Sequence, residues 1–217
     1  MQDMKINKFM NTLILRFLRM FDIPFEKMLI PVVFIVFGIL LGCISSNYLN
    51  ASRELEMERY FTGFVNMVGL QTVDRSALFA RSFSVNTKVF LLLLFMSISV
   101  IGIPFIYAIL AVKGFIVGFT AGITAKVLGA KGLAVILCLI LPKELILLTA
   151  YMIIAVVGVS LCSHLIQIVL RRKSSGFEPD KYIITRHLTG FIPCYILLIL
   201  GCFMEAYICP VLLKAVL

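Results

Sequence analysis

Three charged residues lie within stretches of the sequence that are otherwise apolar. Lys143 and Glu144 are adjacent in an apolar run that covers residues 132–170. Glu205 lies in the last apolar run, residues 190–213. A charge at membrane depth is energetically costly, so it indicates a polar partner or a functional role. These three side chains are therefore the first candidates for chemistry in this chain.

Three arrangements would account for these intramembrane charges. Lys143 and Glu205 would form a structural ion pair, or the charges would line a small hydrated cavity used for transport. Alternatively, the segment that carries Lys143 and Glu144 would lie close enough to the membrane surface to be solvated. The residue types alone leave all three arrangements open.

The sequence contains none of the common motifs of enzymatic catalysis. It has no HExxH, no GxSxG and no glycine-rich phosphate-binding loop. Its six cysteines lie in apolar runs without a CxxC motif, as expected for small packing residues. We therefore expect a protein that is not an enzyme and that uses no metal and no cofactor.

The composition is typical of an integral membrane protein. Of the 217 residues, 61% are hydrophobic and only 14% are charged, and the mean hydropathy is +1.07. A soluble domain carries about a quarter charged residues, so lipid must be the solvent for much of this chain. The net charge of +9 comes from basic residues that flank apolar runs, where they meet lipid headgroups. No nucleic-acid partner is expected.

The hydrophobic runs predict an all-α integral membrane protein. It has about five transmembrane helices, a short re-entrant or broken helix, and an extracytoplasmic helical loop. The predicted segments are a cytoplasmic amphipathic segment (1–27), the first span (28–48), the extracytoplasmic amphipathic loop (49–88), the second span (89–112), the third span (114–128), a half-helix with a break (132–144), the fourth span (145–170), a basic cytoplasmic loop (171–189) and the fifth span (190–213).

Two prolines are expected to interrupt helices. Pro142 removes a backbone donor and disfavours helix at the preceding residue, and residues 132–141 are too few to cross the membrane. We therefore expect a half-helix that enters the membrane and breaks at residues 142–144. Pro104 is expected to kink the second span.

Aromatic residues of the predicted extracytoplasmic loop recur at helical spacing. Tyr60, Phe61 and Phe64 lie on one stripe, and Phe79 lies on a second. The two stripes either rest on the protein's own spans and the bilayer surface or form a face that binds a partner.

Small residues mark a helix-packing face on the third span. Gly114, Gly118 and Gly122 form a double GxxxG pattern, which lets another backbone approach closely. The partner is either another helix of this chain or a second subunit, in which case the protein is a homo-oligomer.

Lysine and arginine density predicts the orientation of the chain. Residues 1–27 and 171–189 are rich in basic residues, whereas the loop 49–88 also contains acidic ones. By the positive-inside rule the first two segments are cytoplasmic and the loop is outside. The N-terminus is then cytoplasmic and the C-terminus extracytoplasmic.

The middle of the chain resembles the stage II sporulation protein M family of endospore-forming bacteria. The resemblance lies in SISVIGIPFIYAILAVKGFIVGFTAG (97–122) and LILPKELILLTAYMIIAVVGVSL (139–161). The segments RELEMERYF and SFSVNTKVFLLL also fit, and the likeness covers residues 28–172. The broader family often has a His after the Pro of the ILP stretch and an acidic residue further on, where this chain has Lys143 and Leu147. No site chemistry is therefore carried over.

The resemblance implies a function in sporulation. Members of this family are integral membrane components of the engulfment machinery, and they act with the stage II sporulation proteins D and P, which are peptidoglycan hydrolases. The implied role is a non-enzymatic anchor in the mother-cell membrane at the septum, where septal wall is thinned. A small-solute or lipid transporter that uses the segment around Pro142 and Glu205 is the alternative.

Overall fold

The computed structural model of the chain is a bundle of long helices. It describes residues 26–48, 55–57, 59, 63, 74–172, 185 and 187–216. The main helices are α1 (Glu26–Asn47), α2 (Arg75–Ile98), α3 (Gly102–Val135), α4 (Leu141–Arg172), α5 (Phe191–Phe203) and α6 (Cys209–Val216). No strand occurs in this described part.

Five stretches of the described residues are long and apolar enough to cross a membrane. They are Met28–Asn47, Arg75–Ile98, Gly102–Gly129, Gly132–Leu170 and His187–Leu212. The predicted all-α membrane protein with about five spans is therefore confirmed. The predicted amphipathic segment 1–27 lies almost wholly outside the described residues, as does most of the loop 171–189.

The second and third spans form an antiparallel hairpin around a turn at residues 99–101. The backbone N–H of Gly102 donates to Ser99 at 3.1 Å, and a Cβ at Gly102 would overlap the Met96 carbonyl. The predicted span 89–112 runs through this turn, so its bounds are wrong. Pro104 lies in the first turn of α3, where a backbone N–H has no intrahelical acceptor, and it therefore does not kink the span.

Helix α2 begins 14 residues before the predicted second span, at Arg75 instead of residue 89. Asp74 caps it, because its carboxylate accepts hydrogen bonds from the hydroxyl and N–H of Ser76 and from the N–H of Ala77. These hydrogen bonds, that of the Ser76 hydroxyl first, lower the pKa of Asp74 and keep it charged beside the helix N-terminus. Residues 75–88, predicted as loop, are therefore part of the spanning helix.

Helices α1 and α3 run parallel and lie in direct backbone contact. A Cβ at Gly114 would overlap the carbonyl of Ile35, and a Cβ at Gly118 would overlap that of Ile39. The Cys43 thiol also donates to the Gly118 carbonyl at 3.3 Å. The partner of the glycine face is thus α1 of the same chain.

A left-handed glycine ends the third span. Gly129 has a φ of 54°, a conformation that glycine adopts without steric cost. Beyond Gly129 the chain reverses, so that residues 130–135, the last part of α3, run back along the part before the glycine. Gly132 therefore lies against the backbone of Thr124. The reversal therefore lies in the sequence GAKG, residues 129–132.

The predicted half-helix and break at Pro142 are not found. A π-helical turn, Ile136–Ile140, leads directly into α4. The N–H of Leu141 donates to the carbonyl of Ile136, five residues back instead of four. The backbone hydrogen-bond pattern has therefore already shifted by one residue before Pro142. Pro142 has no N–H, and it is tolerated at this position without breaking the helix.

The last span repeats the same arrangement. The π-helical turn Met204–Ile208 separates α5 from α6. The N–H of Cys209 donates to the carbonyl of Met204, and Pro210 follows. In both helices a proline thus comes directly after the residue that closes the wider turn.

Helix α4 is the central element of the bundle. It contacts α1, α2, α3 and α5, and Tyr151, Ile154 and Val157 are almost completely buried. It runs parallel to α2, because Tyr151 meets Asn86 and Gly158 meets Ser97. Around this helix, the bundle encloses polar side chains at membrane depth.

Candidate functional site

A cavity of about 360 Å³, whose lining includes several polar and charged side chains, lies between α2, α3, α4 and the second π-helical turn. It reaches from the middle of the bundle towards the end at which α2 begins, where it is lined by Leu78 and Arg81. Its deeper polar and charged lining consists of Ser82, Asn86, Lys113, Lys143, Glu144 and Glu205.

An ion pair connects the fourth and fifth spans across this cavity. The Lys143 Nζ lies 2.6 Å from the Glu205 Oε1. The other carboxylate oxygen, Oε2, accepts a hydrogen bond from the Ser82 hydroxyl at 2.5 Å. Such charge-assisted bonds are strong in a medium of low dielectric constant. The two contacts of Glu205 therefore link α2, α4 and the second π-helical turn.

Asn86 is the centre of a second group of polar contacts. Its Nδ2 donates to the Ser82 carbonyl at 2.9 Å, and its Oδ1 accepts from the Tyr151 hydroxyl at 2.7 Å. Lys113 donates to the same Oδ1 at 3.3 Å, and its ammonium lies 5.0 Å from the centre of the Tyr151 ring, which is within cation–π range. Three spans therefore meet at one buried amide.

The two π-helical turns place the carboxylates and the lysine. Lys143 and Glu144 follow the turn Ile136–Ile140 within one helical turn, and Glu205 lies inside the turn Met204–Ile208. A π-helical turn adds one residue to the helical repeat and so changes the direction of the side chains that follow, and such turns are frequent at functional sites. The two turns thus lie directly beside or around the charged residues.

The structure brings together the three charged residues singled out from the sequence. Lys143 and Glu205 form the ion pair that was one of the three arrangements left open, and both side chains line the cavity. Glu144 lines the same cavity, and its carboxylate lies 4.0 Å from the Lys143 Nζ.

The partner-binding prediction lies mostly outside the described residues. Tyr60, Phe61 and Phe64 belong to the undescribed part of the chain. Phe79 lies on α2, is partly buried against the core and stacks on Phe83 with ring centres 5.9 Å apart. Its role in partner binding stays a prediction.

Four residues with polar groups in or beside the cavity were not singled out from the sequence: Ser82, Asn86, Lys113 and Tyr151. Ser82 and Asn86 were assigned to the extracytoplasmic loop because α2 was expected to begin later. Lys113 was taken as the boundary between two spans, although a lysine inside a continuous apolar run of residues 102–129 is itself a signal. Tyr151 gave no signal beyond its aromatic type.

Metal coordination has no support in the described part of the chain. Among the residues that the structure describes, no group of three or more His, Cys, Asp or Glu side chains is arranged to hold a metal ion.

The fold and the cavity define a five-span helical membrane protein with a polar cluster inside its bundle. The family model of stage II sporulation protein M matches residues 31–210, which extend from the first span into the fifth. The chain therefore belongs to the stage II sporulation protein M family, and it is a sporulation-related membrane protein. No curated protein and no solved structure matches it.

Proposed function

We propose that this protein is a non-enzymatic membrane scaffold for forespore engulfment. It recruits the septal peptidoglycan hydrolases, the stage II sporulation proteins D and P, to the mother-cell membrane at the sporulation septum. The observation that carries the proposal is the family match over residues 31–210. The absence of catalytic motifs from the sequence agrees with a role in which the chemistry belongs to the partners.

The recruiting surface on this proposal is the segment between the first two spans. Residues 49–74 connect α1 to α2 and include the aromatic stripe with Tyr60, Phe61 and Phe64. With the N-terminus cytoplasmic, this segment faces the space that contains the wall, where the hydrolases act. Aromatic side chains at helical spacing supply the large apolar contacts that dominate many protein interfaces.

The test is affinity purification of the tagged protein from sporulating cells in mild detergent. The wild type is expected to retain protein D or P. Phe64→Asp is expected to reach the membrane at the normal level and to lose these partners, because a charge interrupts the apolar stripe. Asn66→Asp is the matched control, since it adds the same charge to the same segment off the stripe. Normal recovery of both hydrolases with Phe64→Asp would refute the assignment of the segment.

Transport of a small solute or lipid is the second candidate function. The cavity beside Lys143 and Glu205 favours it, because transporters bind their substrates between spanning helices. In proteoliposomes, the double substitution Lys143→Leu/Glu205→Leu should abolish transport. A wild-type protein that recruits the hydrolases and moves no solute or lipid across the bilayer would leave the scaffold as the function.

A further inference from the structure

Among the described residues, five charged side chains line the cavity, Arg81 at its mouth and Lys113, Lys143, Glu144 and Glu205 deeper in the bundle. Only two of the deeper four form a close pair. Lys143 and Glu205 lie 2.6 Å apart, so their charges compensate each other directly. Lys113 and Glu144 line the same cavity and remain outside that pair. The deeper four charges are therefore neutral in sum, and among them Lys113 and Glu144 are the positive and the negative group that face an occupant, whereas Arg81 adds a positive charge at the mouth.

Lys113 contacts neutral groups only. In the part of the chain that the structure describes, no carboxylate oxygen lies within 4.0 Å of its Nζ. Its contacts are the Asn86 amide oxygen at 3.3 Å and the face of the Tyr151 ring. A lysine ammonium has three N–H donors, and the hydrogen bond to Asn86 uses one of them.

Glu144 is the negatively charged counterpart of Lys113 in this cavity. Its nearest cation within the described ranges is the Lys143 ammonium at 4.0 Å, which already pairs with Glu205. Its side chain is only 20% exposed, so bulk water reaches a small part of it. A carboxylate in such surroundings is stabilised only when a donor or cation approaches it.

We propose that this cavity binds a zwitterion, with the ligand's ammonium against Glu144 and its anionic oxygens against Lys113. A simple anion would leave Glu144 with only its 4.0 Å contact to Lys143, and a simple cation would leave Lys113 with its neutral contacts to Asn86 and Tyr151. The volume of about 360 Å³ is at the lower end of the range for small-ligand pockets, which suits a compact group such as phosphoethanolamine or an amino acid.

Two sources supply this chemistry. One is the headgroup of phosphatidylethanolamine, which carries a phosphate and an ammonium, and the other is a free zwitterionic solute. Both would enter at the end of the bundle where Leu78 and Arg81 line the cavity. The inference concerns the occupant of the cavity, and it does not depend on the recruitment of proteins D and P.

The test measures binding to the purified full chain in detergent, by thermal stabilisation and by native mass spectrometry. Short-chain phosphatidylethanolamine is expected to raise the unfolding temperature and to remain bound. Phosphatidylglycerol of the same chain length, which lacks the ammonium, is expected to do neither. Phosphoethanolamine in solution should compete with the lipid, whereas glycerol phosphate, which offers the same phosphate without the ammonium, should not.

Lys113→Gln and Glu144→Gln should each weaken binding of phosphatidylethanolamine by about tenfold or more, because each removes one charge partner in a partly desolvated site. Lys88→Gln and Glu56→Gln are the matched controls. Both control residues are exposed and neither lines the cavity, so binding should be unchanged.

The outcomes distinguish a lipid headgroup from a free solute as the occupant, and they show whether the occupant is a zwitterion. Binding of glycine or serine in place of the lipid, with the same dependence on Lys113 and Glu144, would assign the site to a free solute. Equal binding of phosphatidylglycerol that depends on Lys113 alone would refute the zwitterion. Failure of the lipid, phosphoethanolamine and both amino acids to bind would overturn the proposal altogether. If the variants do not fold, the competition between phosphoethanolamine and glycerol phosphate on the wild type still decides whether binding requires the ligand's ammonium.

Discussion

At the scale of single residues, the central observation is that the four charges deep in the cavity are balanced, with Arg81 as a further cation at its mouth. Lys113 and Lys143 face Glu144 and Glu205 around one cavity. Uncompensated charges in a partly desolvated site destabilise a fold, whereas a balanced set is tolerated. The consequence is that removal of one member should be worse than removal of a matched pair.

The Lys143–Glu205 pair allows this balance to be tested. Lys143→Leu and Glu205→Leu should each lower the free energy of unfolding by about 3 kcal/mol, because each leaves an unpaired charge in the bundle. The double variant should lose less than either single variant. Thermal or denaturant unfolding in detergent, arranged as a double-mutant cycle, measures the difference.

Lys88→Leu provides the control for this cycle, since Lys88 is exposed on α2 and outside the cavity. If the double variant loses the sum of the two single effects, Lys143 and Glu205 are not energetically coupled. The 2.6 Å contact would then contribute nothing specific to stability.

At the scale of helices, the bundle is organised by glycine contacts and by π-helical turns. The parallel pair of α1 and α3 has almost no side-chain layer between its backbones, because glycines of both helices meet backbone atoms of the other. In lipid, such close packing supplies association energy that the hydrophobic effect does not.

Gly118→Ala tests the importance of this contact. The added Cβ would overlap the backbone of Ile39 in α1, so the two helices must separate. We expect a loss of about 1–3 kcal/mol in the free energy of unfolding, the usual cost of overpacking. Gly63→Ala is the control, because a Cβ at Gly63 meets no atom within 4 Å. Equal stability of the two variants would show that α1 and α3 tolerate separation.

The prediction of elements from the sequence succeeded where hydrophobicity alone decides and failed where prolines were weighed. Pro104 and Pro142 were both expected to distort a span. Both lie near a helix start, Pro104 in the first turn of α3 and Pro142 directly after a π-helical turn, where a missing N–H breaks no regular hydrogen bond. The position of a proline relative to the helix start depends on the turn before it, and a single sequence does not show that turn.

At the scale of the whole molecule, consecutive spans alternate in direction. The hairpin of α2 and α3 and the reversal at Gly129 account for the second to fourth spans. The fifth span is antiparallel to the fourth, because Gly201 meets Leu147 and His187 meets His164. The alternation places the two ends of the five-span bundle at opposite faces.

The basic residues in the segments 1–27 and 171–189 predict the orientation of this bundle. We expect a cytoplasmic N-terminus and an extracytoplasmic C-terminus. Alkaline phosphatase fused after the last residue should be active, and green fluorescent protein at the same point should be dark. Fusions after residue 172, between the fourth and fifth spans, should give the reverse pattern. Fluorescence at the C-terminal fusion would invert the assignment.

The sequence by itself determined that lipid surrounds much of the chain, and it determined the fold class and the family. The length and apolarity of the runs require helices that cross a membrane, because backbone groups in lipid must be satisfied within the segment. The order of the motifs between residues 97 and 161 indicated the family. Lys143, Glu144 and Glu205 were recognisable because a charge in an apolar run stands out without any knowledge of its neighbours.

Only the tertiary structure decided which polar groups share one cavity. The contact between Lys143 and Glu205 joins residues 62 positions apart, and that between Ser82 and Glu205 joins residues 123 positions apart. Such contacts depend on which spans are neighbours and on where each helix begins. The physical reason is that hydropathy describes how each segment meets lipid, whereas the partners of a buried polar group are set by the packing of several segments at once.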